Sequence, residues 1–393
     1  MWENSNKSAL TKNFYRYGVL IFLLVLASLQ FFLLLRHKNP YMSDSYFYKH
    51  LFYRDLGLTD EQAYQKVLIQ IDMQTQDIIS RNFYLNSKSY TNSLSFFTKR
   101  PLYPLLISGI YRLTQNEYIS FFIPVYVGFI SVLVLVYQFI SEHERPWLAA
   151  IVVGLLLAFY PFLDWSTYFL TDITGAAFWF AQLLCIYWYI RSGNKKWMMV
   201  YGLSLSLSLL NREQSLLMVV VTGLLNFIYL DSHKYPQQHK RTRRLFLLSL
   251  LVSGTYIVLS IILKQKTLYD TWVYTLNQYG LNSNPRETTE VVYYLIDAIL
   301  RSHLALVKDL LQHRWWATAA ILGIVGSLRI FIRSTKFGLV ETILVASGVA
   351  SYLNLYIYPV LSYRYFIPAI VTLLYFSVSI VYGYFKTQLS LFN

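Results

Sequence analysis

The chain has 393 residues, 55% of them hydrophobic and 18% aromatic, with 35 Tyr, and only 14% charged, against about 25% in ordinary soluble domains. This composition excludes a disordered chain, a collagen and a disulfide scaffold, and so few charges could not cover the surface of one soluble globule. The net charge of +14 would suit a nucleic-acid binder, but the low total charge and the long apolar blocks point to membrane lipids instead, and no nucleic-acid partner is expected.

A hydrocarbon core of roughly 30 Å takes about 17–25 apolar residues of helix. Blocks of this kind lie at 17–35, 119–140, 147–163, 173–190, 214–230, 245–263, 315–332, 338–358 and 366–385, and the short, strongly apolar 197–210 makes a tenth. The expected fold class is therefore an all-α polytopic membrane protein of about ten transmembrane helices. The block 101–113 is short and carries Pro101 and Pro104. The positive-inside rule arbitrates. With 101–113 left out and the N-terminus inside, the short cytoplasmic segments carry Lys7, Lys12, Arg16, Arg145, Arg191, Lys195, Lys196, Lys234, Lys240, Arg241, Arg243, Arg244, Arg333, Lys336 and Lys386. The short outer turns then carry only Arg212 and Arg364. Counting 101–113 as a span reverses this bias, so it is expected as an interfacial or re-entrant helix on the outer side, with both termini cytoplasmic. The first span is not expected to be a cleaved signal, because Arg36-His37-Lys38 follows its long apolar run.

Residues 1–393 read as a single transmembrane domain without internal repeats, and two outer segments, 36–118 and 264–314, are long. In the first, Ser43 or Asp44 is a candidate cap for a helix over about 45–56 that stops at Gly57. Thr59-Asp60-Glu61-Gln62 has capping-box form, and Val67, Leu68, Ile71, Ile78 and Ile79 follow at helical spacing, which describes an amphipathic interfacial helix. In the second, Asn277, Asn282, Asn284 and Pro285 mark turns and 287–313 is amphipathic. The single cysteine, Cys185, permits no intrachain disulfide and is expected to pack as a small hydrophobe.

Ionisable residues at membrane edges are costly to place and often functional. Asp44, nine residues past the first span, is a candidate proton acceptor or simply a helix cap. Asp164 and Asp172 flank a turn without Lys or Arg and could contact a metal, an acceptor or a head group, or cap the next helix. Arg212, in Asn211-Arg212-Glu213, sits where the outer turn has almost no length. A guanidinium there suits a lipid phosphate, with local pairing to Glu213 or snorkelling as the plainer alternatives. Arg364, in Tyr363-Arg364-Tyr365, is a second outer cation, either an anion ligand or part of an aromatic belt. The seven His show no metal-ligand spacing, and there is no P-loop and no GxSxG.

In order along the chain these motifs resemble the GT-C class of integral membrane glycosyltransferases. Asp44-Ser45-Tyr46-Phe47-Tyr48 is similar to that class's acidic first loop. Arg100-Pro101-Leu102-Tyr103-Pro104 resembles its proline-rich surface helix. Pro161 and Asp172 resemble a Pro and an Asp opening a span, which favours Asp172 over Asp164. Leu209-Leu210-Asn211-Arg212-Glu213 resembles a span ending in Arg, and Arg364-Tyr365-Phe366-Ile367-Pro368 resembles a late Arg-Tyr-x-x-Pro. Two departures stand out: Asp44 is alone between serines where many relatives have two adjacent acids, and the chain ends soon after its last span.

The resemblance implies transfer of a sugar from a polyprenyl-phosphate donor to a glycan, lipid or protein acceptor on the outer or lumenal face, with inversion. Asp44 would be the base, Arg212 and Arg364 the phosphate ligands, and Asp172, Asp164, Tyr48, Arg100, Glu213, Tyr363 and Tyr365 further donor or acceptor contacts. Asp44 and Asp172 are too few ligands to decide on a divalent cation such as Mg or Mn, and no other cofactor is expected. The alternative class is a transporter or flippase of a lipid-linked or small polar substrate, for which inverted repeats and mid-span polar breaks would be the signature.

Overall fold

The computed structural model describes residues 2–74, 84–142, 144–230, 235–278, 288–332 and 338–391, and among them it is all-helical, with no strand. Ile78, Ile79, Lys234, Asn282, Asn284, Pro285, Arg333 and Lys336 lie outside the described residues. The chain opens with α1 (Trp2–Arg36), α2 (Ser43–Asp55), α3 (Asp60–Gln74), α4 (Ser87–Leu94) and α5 (Leu102–Thr114). Next come α6 (Glu117–Ser141), α7 (Pro146–Ala158), α8 (Tyr160–Ser166), α9 (Asp172–Ser192) and α10 (Lys195–Asn211). A 3-10 turn (Glu213–Leu217) leads into α11 (Met218–Ile228), and α12 (Pro236–Ile262), α13 (Leu268–Gln278), α14 (Thr288–Gln312) and α15 (Arg314–Ile332) follow. The last elements are α16 (Leu339–Tyr352), α17 (Asn354–Ile357), a second 3-10 turn (Tyr363–Tyr365) and α18 (Ile367–Leu391).

Six helical stretches among the described residues are long and apolar enough to cross a bilayer: Tyr17–Arg36, Glu117–Ser141, Asp172–Ser192, Pro236–Ile262, Leu339–Ile357 and Ile367–Lys386. A seventh is the pair α7 and α8, bent by 74° at Phe159, where Pro161 follows in the first turn of α8. The expected spans 197–210, 214–230 and 315–332 coincide with α10, with the 3-10 turn plus α11, and with α15, which are not among those six. The chain is thus a helical protein with several membrane-crossing helices, and the tally of ten rests on these three.

The local signals act as their chemistry requires. The Thr59 N–H donates to Gln62 Oε1 at 3.0 Å and the Gln62 N–H donates to Thr59 Oγ1 at 3.3 Å, a complete capping box at the start of α3. α2 ends at Gly57, whose φ of +95° only glycine takes without strain. α5 has 13 residues, about 20 Å of helix at about 1.5 Å per residue, too short to cross. It buries Tyr103, Pro104, Ile107 and Ser108 against α2 and α6 and leaves Leu105, Leu106 and Leu113 exposed, as an interfacial helix would.

The bundle packs α9 between α6 and α10, α11 against α12 and α16, and α18 against α7, α15 and α16. Small residues bring these helices together. A Cβ on Gly323 of α15 would lie 2.4 Å from the Leu373 carbonyl oxygen in α18, so that approach admits only glycine. Gly254 in α12, by contrast, has nothing within 4 Å of its Cβ position. Gly323→Ala is therefore expected to destabilise by about 1–3 kcal/mol through overpacking, whereas Gly254→Ala is expected to be neutral or to stabilise through helix propensity by up to about 1 kcal/mol. Unfolding temperatures of the two variants in detergent check this; equal shifts in the same direction would contradict the α15–α18 contact.

Candidate active site

Four chain segments meet at one end of the bundle. The Phe169 N–H donates to the Pro40 carbonyl at 2.9 Å, which lays the stretch after α1 along the stretch before α9. At the end of α10, Asn211 hydrogen-bonds Thr174 Oγ1 and the Thr171 carbonyl, so the next residue, Arg212, leaves the helix in extended conformation beside the start of α9. The Ser351 hydroxyl and the Asn354 amide both donate to the Tyr365 carbonyl and pin the last 3-10 turn.

These ties bring together Asp44, Asp172, Arg212 and Arg364. Arg212 Nη1 and Asp172 Oδ1 form an ion pair in which both side chains are about 95% buried (5% and 4% exposed). Arg364 contacts two carboxylates, Asp44 Oδ2 through Nη1 at 3.3 Å and Asp172 Oδ1 through Nε at 3.7 Å, and it donates to the Tyr365 hydroxyl at 2.8 Å. Its guanidinium lies 4.7 Å from the Trp165 ring and 4.8 Å from the Tyr365 ring, and that of Arg212 also lies 5.0 Å from the Tyr365 ring. Burial works against the Arg364 charge, but Tyr365, Asp172 and Asp44 outweigh it and hold its pKa above the ordinary value. Asp44 is 33% exposed, the most open of the four.

All four line one cavity of about 310 Å³, together with Tyr48, Arg100, Trp165, Tyr358, Ser362 and Tyr365. Its volume is at the low end of the range of about 300–1,000 Å³ for small-molecule sites. The far wall comes from α13, whose Thr271, Tyr274 and Thr275 face it with Phe96 and Phe97. α13 is docked by Trp272 Nε1, which donates to the Tyr356 carbonyl at 3.2 Å. The Nε atoms of Arg100, Arg212 and Arg364 are buried without a hydrogen-bond partner, as is Ser362 Oγ. Three guanidiniums with unused N–H groups around one cavity have the chemistry to hold an anion.

The plainer readings of these positions do not account for the contacts. Asp44 is in the first turn of α2 but does not cap it; the helix begins after Met42, whose N–H donates to Ser45 Oγ at 3.1 Å. Arg212 pairs with Asp172 rather than with Glu213. Two candidates lie elsewhere. Asp164 is bound by Lys38 at 2.8 Å outside the cavity, and Tyr363 donates to Asp309 on α14. Glu213 stands behind the wall, held by Lys99 at 2.6 Å and Arg100 at 3.6 Å. Tyr48, Thr171, Tyr358 and α13 are cavity elements that no charge pattern singles out; of these, only Tyr48 belongs to a motif. The donor set does not suit a divalent cation: among the described residues no group of three His, Cys, Asp or Glu could hold one, and Asp44 and Asp172 are each engaged by arginine.

Residues 98–262 match the family model described as dolichyl-phosphate-mannose-protein mannosyltransferase. The match takes in Arg100, Asp172, Arg212 and Glu213 and does not extend to Asp44 or Arg364. No curated protein and no solved structure matches the chain. With Arg212 and Arg364 both on it, Asp172 is the hub of the buried charges. Asp172→Asn is expected to lower stability by about 3 kcal/mol or more by leaving both arginines undercompensated, and adding Arg212→Met is expected to recover part of that loss. Thermal unfolding of the single and double variants decides; a double variant less stable than Asp172→Asn alone would contradict the pairing.

Proposed function

We propose that the chain is a GT-C type glycosyltransferase, a multi-pass membrane enzyme that transfers a sugar from a polyprenyl-phosphate donor to an acceptor on the outer or lumenal face, with both termini in the cytoplasm. The observation that carries the reading is the joint lining of one cavity by a partly open carboxylate, Asp44, and three arginines with unused buried N–H groups. In this reading the cavity sits at the end of the bundle whose short turns carry only Arg212 and Arg364.

A phosphate ester leaves as a stable anion, so the departing group needs no proton. Arg364 and Arg212 hold the phosphate and stabilise the charge that develops on it as the bond to the anomeric carbon breaks. The acceptor's nucleophilic atom attacks that carbon from the opposite side, and Asp44 takes its proton as the new bond forms. Direct displacement inverts the configuration. A carboxylate is a weak base for a hydroxyl, so alignment of donor and acceptor supplies much of the rate. The wall of Thr271, Tyr274 and Thr275, with Phe96 and Phe97, offers hydroxyls and aromatic faces to the sugar or the acceptor. Tyr48 and Tyr365 belong to the same lining, while Asp164 and Tyr363 support it from outside.

Asp44→Asn is expected to lower transfer about 10²- to 10⁴-fold while binding of the lipid-phosphate donor persists. Single-turnover transfer by the purified variant from a panel of polyprenyl-phosphate sugars measures this, and full activity would remove Asp44 as the base. Arg364→Ala is expected to weaken donor binding more than Arg364→Lys, because lysine keeps the charge and loses the planar fork. Equal affinity in the two variants and the native enzyme would remove Arg364 from the phosphate site.

A further inference from the structure

We propose that Glu213 is a positioning residue that holds Arg100 at the cavity wall, so that Arg100 and not the adjacent Lys99 is the third cation presented to the donor phosphate. The inference rests on the donor reading above.

Two consecutive cations precede α5, and the fold sends them in different directions. Lys99, 6% exposed, points away from the cavity; its Nζ donates to the Lys266 carbonyl at 3.1 Å and pairs with Glu213 Oε1 at 2.6 Å. Arg100 lines the cavity. Its Nη1 donates to the Tyr48 hydroxyl and its Nη2 to the Tyr358 hydroxyl, each at 3.4 Å, and Nη2 lies 3.6 Å from Glu213 Oε2. Glu213 touches both cations, accepts a hydrogen bond from Tyr358 at 3.3 Å, and does not line the cavity. Burial opposes its charge, but Arg100 and Lys99 outweigh that and keep its carboxyl below the ordinary value.

Glu213 is the carboxylate that both desolvated cations contact, and Asp270 also acts on Lys99. Lys99 has a close carboxylate oxygen and a backbone carbonyl as partners. Arg100 has a longer ion pair, two long hydrogen bonds and an unused Nε–H. The less fully compensated of the two cations, Arg100, therefore faces the cavity. Without the Glu213 charge, two adjacent buried cations would repel each other, and Arg100 would lose the anchor that fixes its planar fork. Tyr358 extends the same support: its ring stacks on Tyr365 at 5.0 Å, and Tyr365 in turn carries Arg364.

The test is a double-mutant cycle read as binding of sugar-free polyprenyl monophosphate to the purified full-length chain, with circular dichroism and unfolding temperature followed alongside. Arg100→Met and Glu213→Gln are each expected to weaken binding about 10- to 100-fold. The double variant is expected to bind no more weakly than Arg100→Met alone, which a merely structural role for Glu213 would not produce. Glu213→Asp, which keeps the charge, is expected to retain more affinity than Glu213→Gln, and Lys99→Met is expected to cost clearly less affinity than Arg100→Met. Additive losses in the double variant, or a Lys99→Met loss as large as that of Arg100→Met, would overturn the inference. If Arg100→Met leaves affinity unchanged while Arg364→Ala lowers it, the donor reading survives and the inference falls; if neither changes it, both fall.

Discussion

One guanidinium organises this end of the molecule. Arg364 reaches Asp44 at 3.3 Å and Asp172 at 3.7 Å, and Asp172 is held a second time by Arg212. Charges at such depth are tolerated only when paired, and removing one partner strands the others. The first turn of α2, the N-terminus of α9, the end of α10 and the turn before α18 must therefore fold to the same place. The contact also constrains the topology. An even number of crossings must separate Asp44 from Asp172, and α6 with the bent α7–α8 pair, counted as one span, would supply two.

The remaining architecture serves to keep that meeting point in position. Lys38 clamps Asp164 and lies 3.4 Å from the Tyr168 ring, fixing α8 and hence Trp165, the platform beneath Arg364. α14 binds the segment before Arg364 through Ser302, which donates to the Pro359 carbonyl at 2.8 Å, and α13 docks on Tyr356. α13 and α14 thus supply one wall of the cavity and the brace of its last arginine.

How much of this could be read from the chain follows from what each residue needs locally. Asp44, Asp172, Arg212 and Arg364 were legible as candidates because each is a charge at the edge of an apolar block. The Thr59–Gln62 box and the Gly57 stop were legible because capping is decided within four residues. Charge and position leave Asp164 and Asp172 equivalent and only the resemblance favours Asp172; in the fold Lys38 holds Asp164 outside the cavity, a contact across the bundle that leaves no pattern in sequence. Glu213 was conspicuous for its charge, yet its role behind the wall depends on Lys99 and Arg100 arriving from α5. The spans at α10, α11 and α15 lie where length and apolarity become marginal, so composition alone cannot fix their number.

The charges around the cavity sum to a meaningful remainder. Lys99, Arg100, Arg212 and Arg364 stand against Asp44, Asp172 and Glu213. With all of them ionised, one positive charge is in excess, and it sits in a place shielded from water, where charge imbalance is felt strongly. A sugar phosphodiester carries one negative charge and would neutralise the cluster. A diphosphate carrier would overshoot it and press against Asp44, the group asked to accept a proton. The net +14 of the chain therefore divides by physical role. In the proposed topology most short-loop cations orient the protein in the bilayer, while a small buried set, almost balanced by its own carboxylates, leaves the single charge that the proposed donor would complete.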